Sequence, residues 1–260
     1  MNAKRTQQLK AIDRLLTIMD ELREGCPWDK KQTFESLRHL TIEETYELSE
    51  ALLENDPEEI KNELGDVLLH IIFYAKIGSE KEVFDIGDIA HAISEKLIQR
   101  HPHVYGDVRV SGEEEVKKNW EKLKLKEGNQ SVLSGVPKSL PSLVMASRMQ
   151  DKASGIGFDW DNINGVREKI NEEFQELEFE IEKGNKEKIT AELGDVFFSL
   201  VNYARFLGVN PDDALASSNK RFRSRFEAME KQALAKKMTL STLSSQQWES
   251  LWQSAKKQVG

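Results

Sequence analysis

The chain carries one acidic pattern twice, with the same internal spacing. Residues 43–66 contain Glu43, Glu44, Glu47, Glu63 and Asp66, and residues 172–195 contain Glu172, Glu173, Glu176, Glu192 and Asp195. The second set follows the first at a constant offset of 129 residues, close to half of the 260-residue chain. Charge-rich helices that arise by chance do not keep such register. The chain is therefore a duplication, and what it duplicates is a set of carboxylates. The flanks agree: Gly25-Cys26-Pro27-Trp28-Asp29 answers Gly157-Phe158-Asp159-Trp160-Asp161, and Glu-Leu-Gly-Asp recurs at 63–66 and 192–195. Trp120 with Lys124 matches Trp252 with Lys256. A self-match of this length indicates one repeated domain rather than a solenoid, whose repeats run only ~20–50 residues.

Nearly every segment has the apolar spacing of a helix, and no alternating run marks a strand. The expected fold class is all-α, a tandem duplication of small helical bundle domains. Their expected limits are 1–125 and 142–260, with a Gly-, Pro- and Ser-containing linker over 126–141. A first helix is expected from about Lys4 to Glu24. Thr41, with Glu44 three residues on, reads as a capping box that opens the next helix. Asp56-Pro57-x-Glu59 opens a third, expected to end near Ile77 with Gly78 just beyond it. In the second half, helices are expected over 165–183 and 186–207, and Asn210-Pro211 opens another. Each acidic element is then a pair of antiparallel helices. Bundles this small have limited cores, so pairing between the halves or between two chains is expected.

The formal net charge of −8 speaks against binding nucleic acid through a basic surface. A single cysteine, Cys26, excludes a disulfide framework. With no N-terminal signal pattern and no apolar run of about 18 residues, a soluble cytoplasmic protein without a membrane partner is expected.

Helix positions three apart share a face, so Glu44 with Glu47, and Glu63 with Asp66, each project two carboxylates sideways. Four such groups converging between two helices repel unless they are protonated or bind a cation. An isolated Glu-x-x-Glu is usually a solvated face; strict repetition in a second copy favours a metal site. All five histidines (His39, His70, His91, His101, His103) and Cys26 lie in the first half, so the second copy must ligate through oxygen. That selects Mg²⁺ or Mn²⁺. A ferritin-like di-iron site needs Glu-x-x-His, which is absent from the sequence. His70, answered by Ser199, reads as a packed histidine. Mg²⁺ on carboxylates typically also binds substrate phosphates, which call for protein cations. Lys96 with Arg100 and Arg221 with Arg225 share one spacing, and the Trp120/Lys124 and Trp252/Lys256 pairs add an aromatic surface and a further cation in each half.

At these motifs the sequence resembles the MazG family of nucleoside triphosphate pyrophosphohydrolases, in its full-length two-domain bacterial form. The resemblance covers nearly the whole chain, and Arg100-His101-Pro102-His103-Val104 is characteristic of MazG proteins. It implies tandem MazG-like domains, Mg²⁺ dependence (with Mn²⁺ as a possible substitute), a homodimer, and hydrolysis of the α–β phosphoanhydride to a nucleoside monophosphate and pyrophosphate. By the same resemblance Glu173, Glu176, Glu192 and Asp195 are catalytic and bind metal, and Glu44, Glu47, Glu63 and Asp66 are the matching ligands of the first half. Nucleotide contacts fall on Lys169, Glu172, Lys188, Arg221, Arg225, Trp252 and Lys256, with Lys96, Arg100, Trp120 and Lys124 expected to serve substrate in the first half. Trp252 is placed to stack on a base, and no base-reading motif is evident, so a broad base range is expected. Leu40 stands opposite Lys169 and Glu59 opposite Lys188, which makes the second half the expected main site. Two alternatives stay open: a pyrophosphatase for one narrow dNTP, and a non-hydrolysing helical regulator that senses nucleotide.

Overall fold

The computed structural model describes residues 2–112, 115, 116, 119 and 131–259. Among them every regular element is helical. The chain divides into two compact units, Met1–Arg109 and Val110–Gly260. Trp120, Lys124 and residues 126–130 of the expected linker lie outside the described residues.

The first unit contains α1 (Ala3–Gly25), α2 (Phe34–Glu54), α3 (Pro57–Glu80), α4 (Ile86–Arg100) and the short α5 (Pro102–Tyr105). Helix α2 opens about two turns before the expected Thr41. Its cap is Thr33, which accepts from the Ser36 backbone N–H while the Ser36 hydroxyl bonds back to the Thr33 N–H. This is a reciprocal capping box built with serine in place of the usual Glu or Gln. Thr41 sits inside the helix, where its hydroxyl bonds the Leu37 carbonyl. Asn55 ends α2 in the left-handed region at φ 56°, which a short polar side chain tolerates. Asp56 then caps α3 by accepting from Glu58 and Glu59, with Pro57 in the first turn.

Gly78 lies within α3 rather than after it. A Cβ there would sit 2.5 Å from the Phe84 ring and 2.7 Å from the Phe84 carbonyl oxygen. The glycine lets the returning chain press on the helix and has no part in ending it. The core of this unit is Met19, Leu37, Ile72, Phe73 and Ile77. Arg23 joins the end of α1 to the end of α3 through Glu80 at 2.5 Å, and also donates to the carbonyls of Asp29 and Gln32.

The second unit contains α6 (Ser142–Gly155), α7 (Ile163–Lys183), α8 (Lys186–Phe206), α9 (Pro211–Ala235) and α10 (Ser245–Val259). Gly184, left-handed at φ 69°, ends α7, and Asn185 caps α8. The acidic pairs are thus α2–α3 and α7–α8, each closed by a two-residue turn, as the repeat requires. Helices α9 and α10 pack around Ala228, Met229, Ala233, Leu251 and Ala255. No helix among the described residues is long and apolar enough to cross a membrane.

Replacing Gly78 with alanine forces Phe84 and its backbone away from α3. Overpacking of this kind costs about 1–3 kcal/mol, so Gly78→Ala should lower the urea midpoint accordingly, whereas an unchanged midpoint would show that the contact yields without cost.

Candidate functional site

In the second unit Glu173 and Glu176 on α7 meet Glu192 on α8. One carboxylate oxygen from each lies within 4.8 Å of the other two. Glu173 is 5% exposed. Lys169, one turn earlier, donates to Glu172 at 2.9 Å and Glu173 at 2.8 Å, and these bonds raise its pKa above that of an ordinary lysine. Burial pushes the Glu192 carboxyl above the usual range, and the charges of Glu176, Asp195, Glu173 and Glu180 push it further. Asp195 stands outside the tightest triple but lines the adjoining cavity of about 180 Å³ with Lys169 and Glu173.

The first unit repeats the arrangement with Glu44 on α2 and Glu63 and Asp66 on α3, again within 4.8 Å. Burial raises the pKa of Glu44, aided by Asp66, Glu47 and Glu63. It raises that of Glu63 as well, aided by Glu47, Asp66 and Glu59. One Glu63 oxygen, Oε2, is buried with no hydrogen-bond partner. His70 is packed, with Nδ1 2.9 Å from the Thr41 hydroxyl, which also meets the Tyr74 hydroxyl at 2.7 Å. Burial lowers its pKa against the pull of Asp66.

The expected cations are distributed unevenly. Arg221 donates to the hydroxyls of Ser217 and Ser218 on its own helix. Arg225 and Lys256 lie 6.0 Å and 5.7 Å from the centre of the Trp252 ring. Together with Phe222 they form a second cluster, on α9 and α10. In the first unit Lys96 is exposed and Arg100 half-buried near the end of α4, and Lys61 pairs with Glu58.

One buried acid escaped the sequence reading. Glu180, a turn beyond Glu176, is 6% exposed. Its Oε1 lies 3.5 Å from Lys183 and 3.7 Å from Lys188, and its Oε2 is buried without a partner. At the constant offset the first copy has Ala51 for Glu180 and Glu59 for Lys188. The two positions change together, and that joint change was the available signal. Glu180 pairs with Lys188, a contact that Ala51 and Glu59 cannot make.

A model of the MazG nucleotide pyrophosphohydrolase domain matches the chain twice, over residues 32–105 and 162–229. These stretches contain both acidic sets. The chain belongs to the MazG family. Membership makes it a nucleotide pyrophosphohydrolase with two tandem all-α MazG domains. A nucleoside triphosphate pyrophosphohydrolase of Escherichia coli K12 is 39% identical over 259 residues, covering 96% of this chain and 98% of its own. The nucleoside triphosphate pyrophosphohydrolase/pyrophosphatase MazG of Thermotoga maritima is 41% identical over 250 residues, covering 94% and 95%. The uncharacterized Bacillus subtilis protein YabN is 44% identical over 246 residues, which are 92% of this chain and 50% of that protein. The two MazG domains of this chain share their acids and differ in the cations around them.

Raised carboxylate pKa values mean that the folded protein takes up protons more readily than the unfolded chain. The ionised groups therefore destabilise the fold at neutral pH, and the penalty fades as pH falls through the raised pKa. In chelator at pH 7, Glu192→Gln should melt at a higher temperature than the parent. The advantage should shrink as pH falls toward 4.5, the ordinary glutamate value. A lower melting temperature at pH 7 would contradict this electrostatic account.

Proposed function

We propose that this MazG protein hydrolyses nucleoside and deoxynucleoside triphosphates of several bases to monophosphate and pyrophosphate. Mg²⁺ is its cofactor, Mn²⁺ can substitute, and the working form is a cytoplasmic homodimer with domains at 1–125 and 142–260. The observation that carries this reading is the convergence of Glu173, Glu176 and Glu192 within 4.8 Å, in a domain whose family acts on nucleotides. The donors fit a hard divalent cation: they are all oxygen, mutually repelling and partly buried. Glu173, Glu176, Glu192 and Asp195 would hold the ion in the second domain, and Glu44, Glu47, Glu63 and Asp66 in the first. Bound among these acids, such an ion would supply positive charge to offset that of the triphosphate and Lewis acidity toward the phosphoryl group.

The side chains supply the remaining steps. Lys169 and Lys188 bind phosphate oxygens by charge-assisted hydrogen bonds, with Glu172 and Glu180 fixing their positions. Arg221, Arg225 and Lys256 bring further positive charge, and Trp252 an aromatic surface, from α9 and α10. A clustered glutamate orients a water and takes its proton as the water oxygen bonds to the α-phosphorus. The α–β bridging oxygen then leaves with pyrophosphate, its charge balanced by the lysines. In the first domain Lys96 and Arg100 are the described candidates for phosphate, but Leu40 and Glu59 leave that domain two cations poorer.

Chromatography of reactions with several NTPs and dNTPs should show monophosphate and pyrophosphate in Mg²⁺ and none in chelator; ADP and orthophosphate from ATP would overturn the reading. Glu173→Ala or Glu192→Ala should lower kcat/KM by about 100-fold or more, equivalent to ~2.7 kcal/mol. Glu44→Ala and Glu63→Ala should cost less, and the reverse ranking would make the first domain the main site.

The homodimer reading is supported by exposed apolar side chains on the acidic helix pairs, including Leu64, Ile71, Phe179, Leu193, Phe197 and Leu200. Exposure on this scale marks surfaces that pair. Light scattering should report twice the chain mass of 29.8 kDa; a stable monomer at micromolar concentration refutes the dimer.

A further inference from the structure

The acidic hairpin α7–α8 is closed at one end by the Gly184-Asn185 turn. Side chains close the other end. Arg205, near the end of α8, donates to both oxygens of Asp159 in the loop between α6 and α7, through Nη1 to Oδ2 at 2.9 Å and through Nη2 to Oδ1. The Ser154 hydroxyl of α6 donates to Asp159 Oδ2 at 2.7 Å, and the Trp160 N–H to Oδ1 at 2.9 Å. Asn202, three residues before Arg205, accepts at Oδ1 from Arg205 Nε at 3.1 Å and Nη2 at 2.8 Å. Gln150 adds a bond from α6 to the Phe198 carbonyl of α8 at 2.8 Å. Burial works to raise the Asp159 pKa, but the bonds from Arg205, Ser154 and the Trp160 N–H outweigh it, and the carboxyl titrates below the usual aspartate range.

Trp160, Phe198 and Asn202 line two cavities at once. One, of about 180 Å³, contains Lys169, Glu173 and Asp195. The other, of about 530 Å³, lies between α6 and α8 and has Asp159 and Arg205 in its lining. The three residues thus form a partition, and the Asp159–Arg205 pair holds two of them, Asn202 directly and Trp160 by its backbone N–H. Trp160 in turn rests on α7, where a Cβ at Gly165 would sit 2.8 Å from its ring. Gly165 lies one turn before Lys169, so contacts run unbroken from α8 through Asp159 and Trp160 to the start of α7. The paired side chains are 19% and 24% exposed, so solvent screens them and their share of fold stability is modest.

The first copy lacks this clamp. At the constant offset it has Phe73 for Asn202 and Lys76 for Arg205; in the register that aligns Gly25 with Gly157 it has Leu22 for Ser154 and Pro27 for Asp159. Lys76 pairs with Asp20 instead. Arg23 closes that end of the first hairpin through Glu80 and the carbonyls of Asp29 and Gln32. The acidic hairpin therefore forms without a clamp on the cavity wall, and the copy that lacks the clamp is the copy that lacks Lys169 and Lys188.

We infer that Asp159 and Arg205 are positioning residues for the reaction of the second domain, holding the Trp160–Asn202 partition and through it the placement of Lys169 and Glu173. The inference rests on reading the carboxylate cluster as a triphosphate site. Asp159 and Arg205 neutralise each other and are spent on each other, so neither offers its charge to substrate. Their effect passes through the partition, and a shift of ~1 Å in groups that meet the reacting phosphate costs up to ~100-fold in rate. Arginine suits the task because its planar fork meets a carboxylate with two parallel N–H bonds and fixes direction as well as distance. A lysine, as at Lys76, supplies a point charge that leaves the loop free to pivot.

The test measures pyrophosphate release from ATP in Mg²⁺ by the full chain and by Arg205→Lys, Asp159→Asn and the double variant, with thermal melting alongside. Each single variant should lower kcat by ~10-fold or more while KM stays within about threefold, the pattern of lost alignment rather than lost substrate contact. The double variant should match the slower single to within about twofold, because both changes break one pair. Parent-like kcat in folded single variants, with only the melting temperature lowered, makes the pair structural and overturns the inference. A raised KM at unchanged kcat overturns it too, since that marks direct binding of substrate, and so do losses that multiply in the double variant. Arg205→Lys keeps the charge and decides the matter even if Asp159→Asn does not fold. A parent protein that releases no pyrophosphate from any nucleotide refutes the activity itself, and the inference falls with it; an active parent with unaffected variants refutes the inference alone.

Discussion

Carboxylates one turn apart on two facing helices repel, and the repulsion strengthens as burial removes the water that screens it. A helix pair can hold Glu173, Glu176 and Glu192 together only if other forces fix the pair. Two-residue turns do part of this: Asn55-Asp56 in one unit and Gly184-Asn185 in the other start the return helix at once. Buried apolar side chains do the rest, with Ile72, Phe73 and Ile77 on α3 and Val196 and Val201 on α8. The strain remaining in the acids appears as the raised pKa values of Glu44, Glu63 and Glu192. Such a site gains most from a cation, because binding relieves a repulsion the fold has already imposed.

The duplication makes the chain its own control. Both copies keep the acids at identical spacing, while the surroundings have diverged in linked steps. Glu180 and Lys188 become Ala51 and Glu59; Lys169 becomes Leu40. Where the second unit opens a cavity beside Asn202, the first has a buried Phe73. Ala51, Leu40 and Phe73 put apolar groups where the second unit has polar ones, and Glu59 puts an exposed acid where it has a cation. The first unit therefore conserves the charge cluster and much of the helical frame, with fewer side chains suited to a nucleotide.

Local signals served well where the physics is local. Asp56-Pro57, Asn210-Pro211 and the Gly184 stop all lie at the expected helix ends, because caps and breakers act within one turn. Helix α2 starts after Thr33 rather than at Thr41 because Thr33-x-x-Ser36 does with serine what the usual pattern does with glutamate. Gly78 has the residue type of a helix stop, and sequence alone cannot show Phe84 pressing on the helix from outside.

The sequence by itself determined the helical class, the duplication, the register of the acids and the absence of nitrogen and sulfur ligands in the second copy. These depend on spacing and residue type, which the chain states directly. Tertiary structure alone decided which acids come within 4.8 Å, that Glu180 is buried beside Lys188, and that one oxygen of Gln150 is left without a partner. Burial and hydrogen-bond satisfaction depend on groups distant along the chain, as Phe198 is from Gln150. No local pattern encodes which buried atom will be left unpaired.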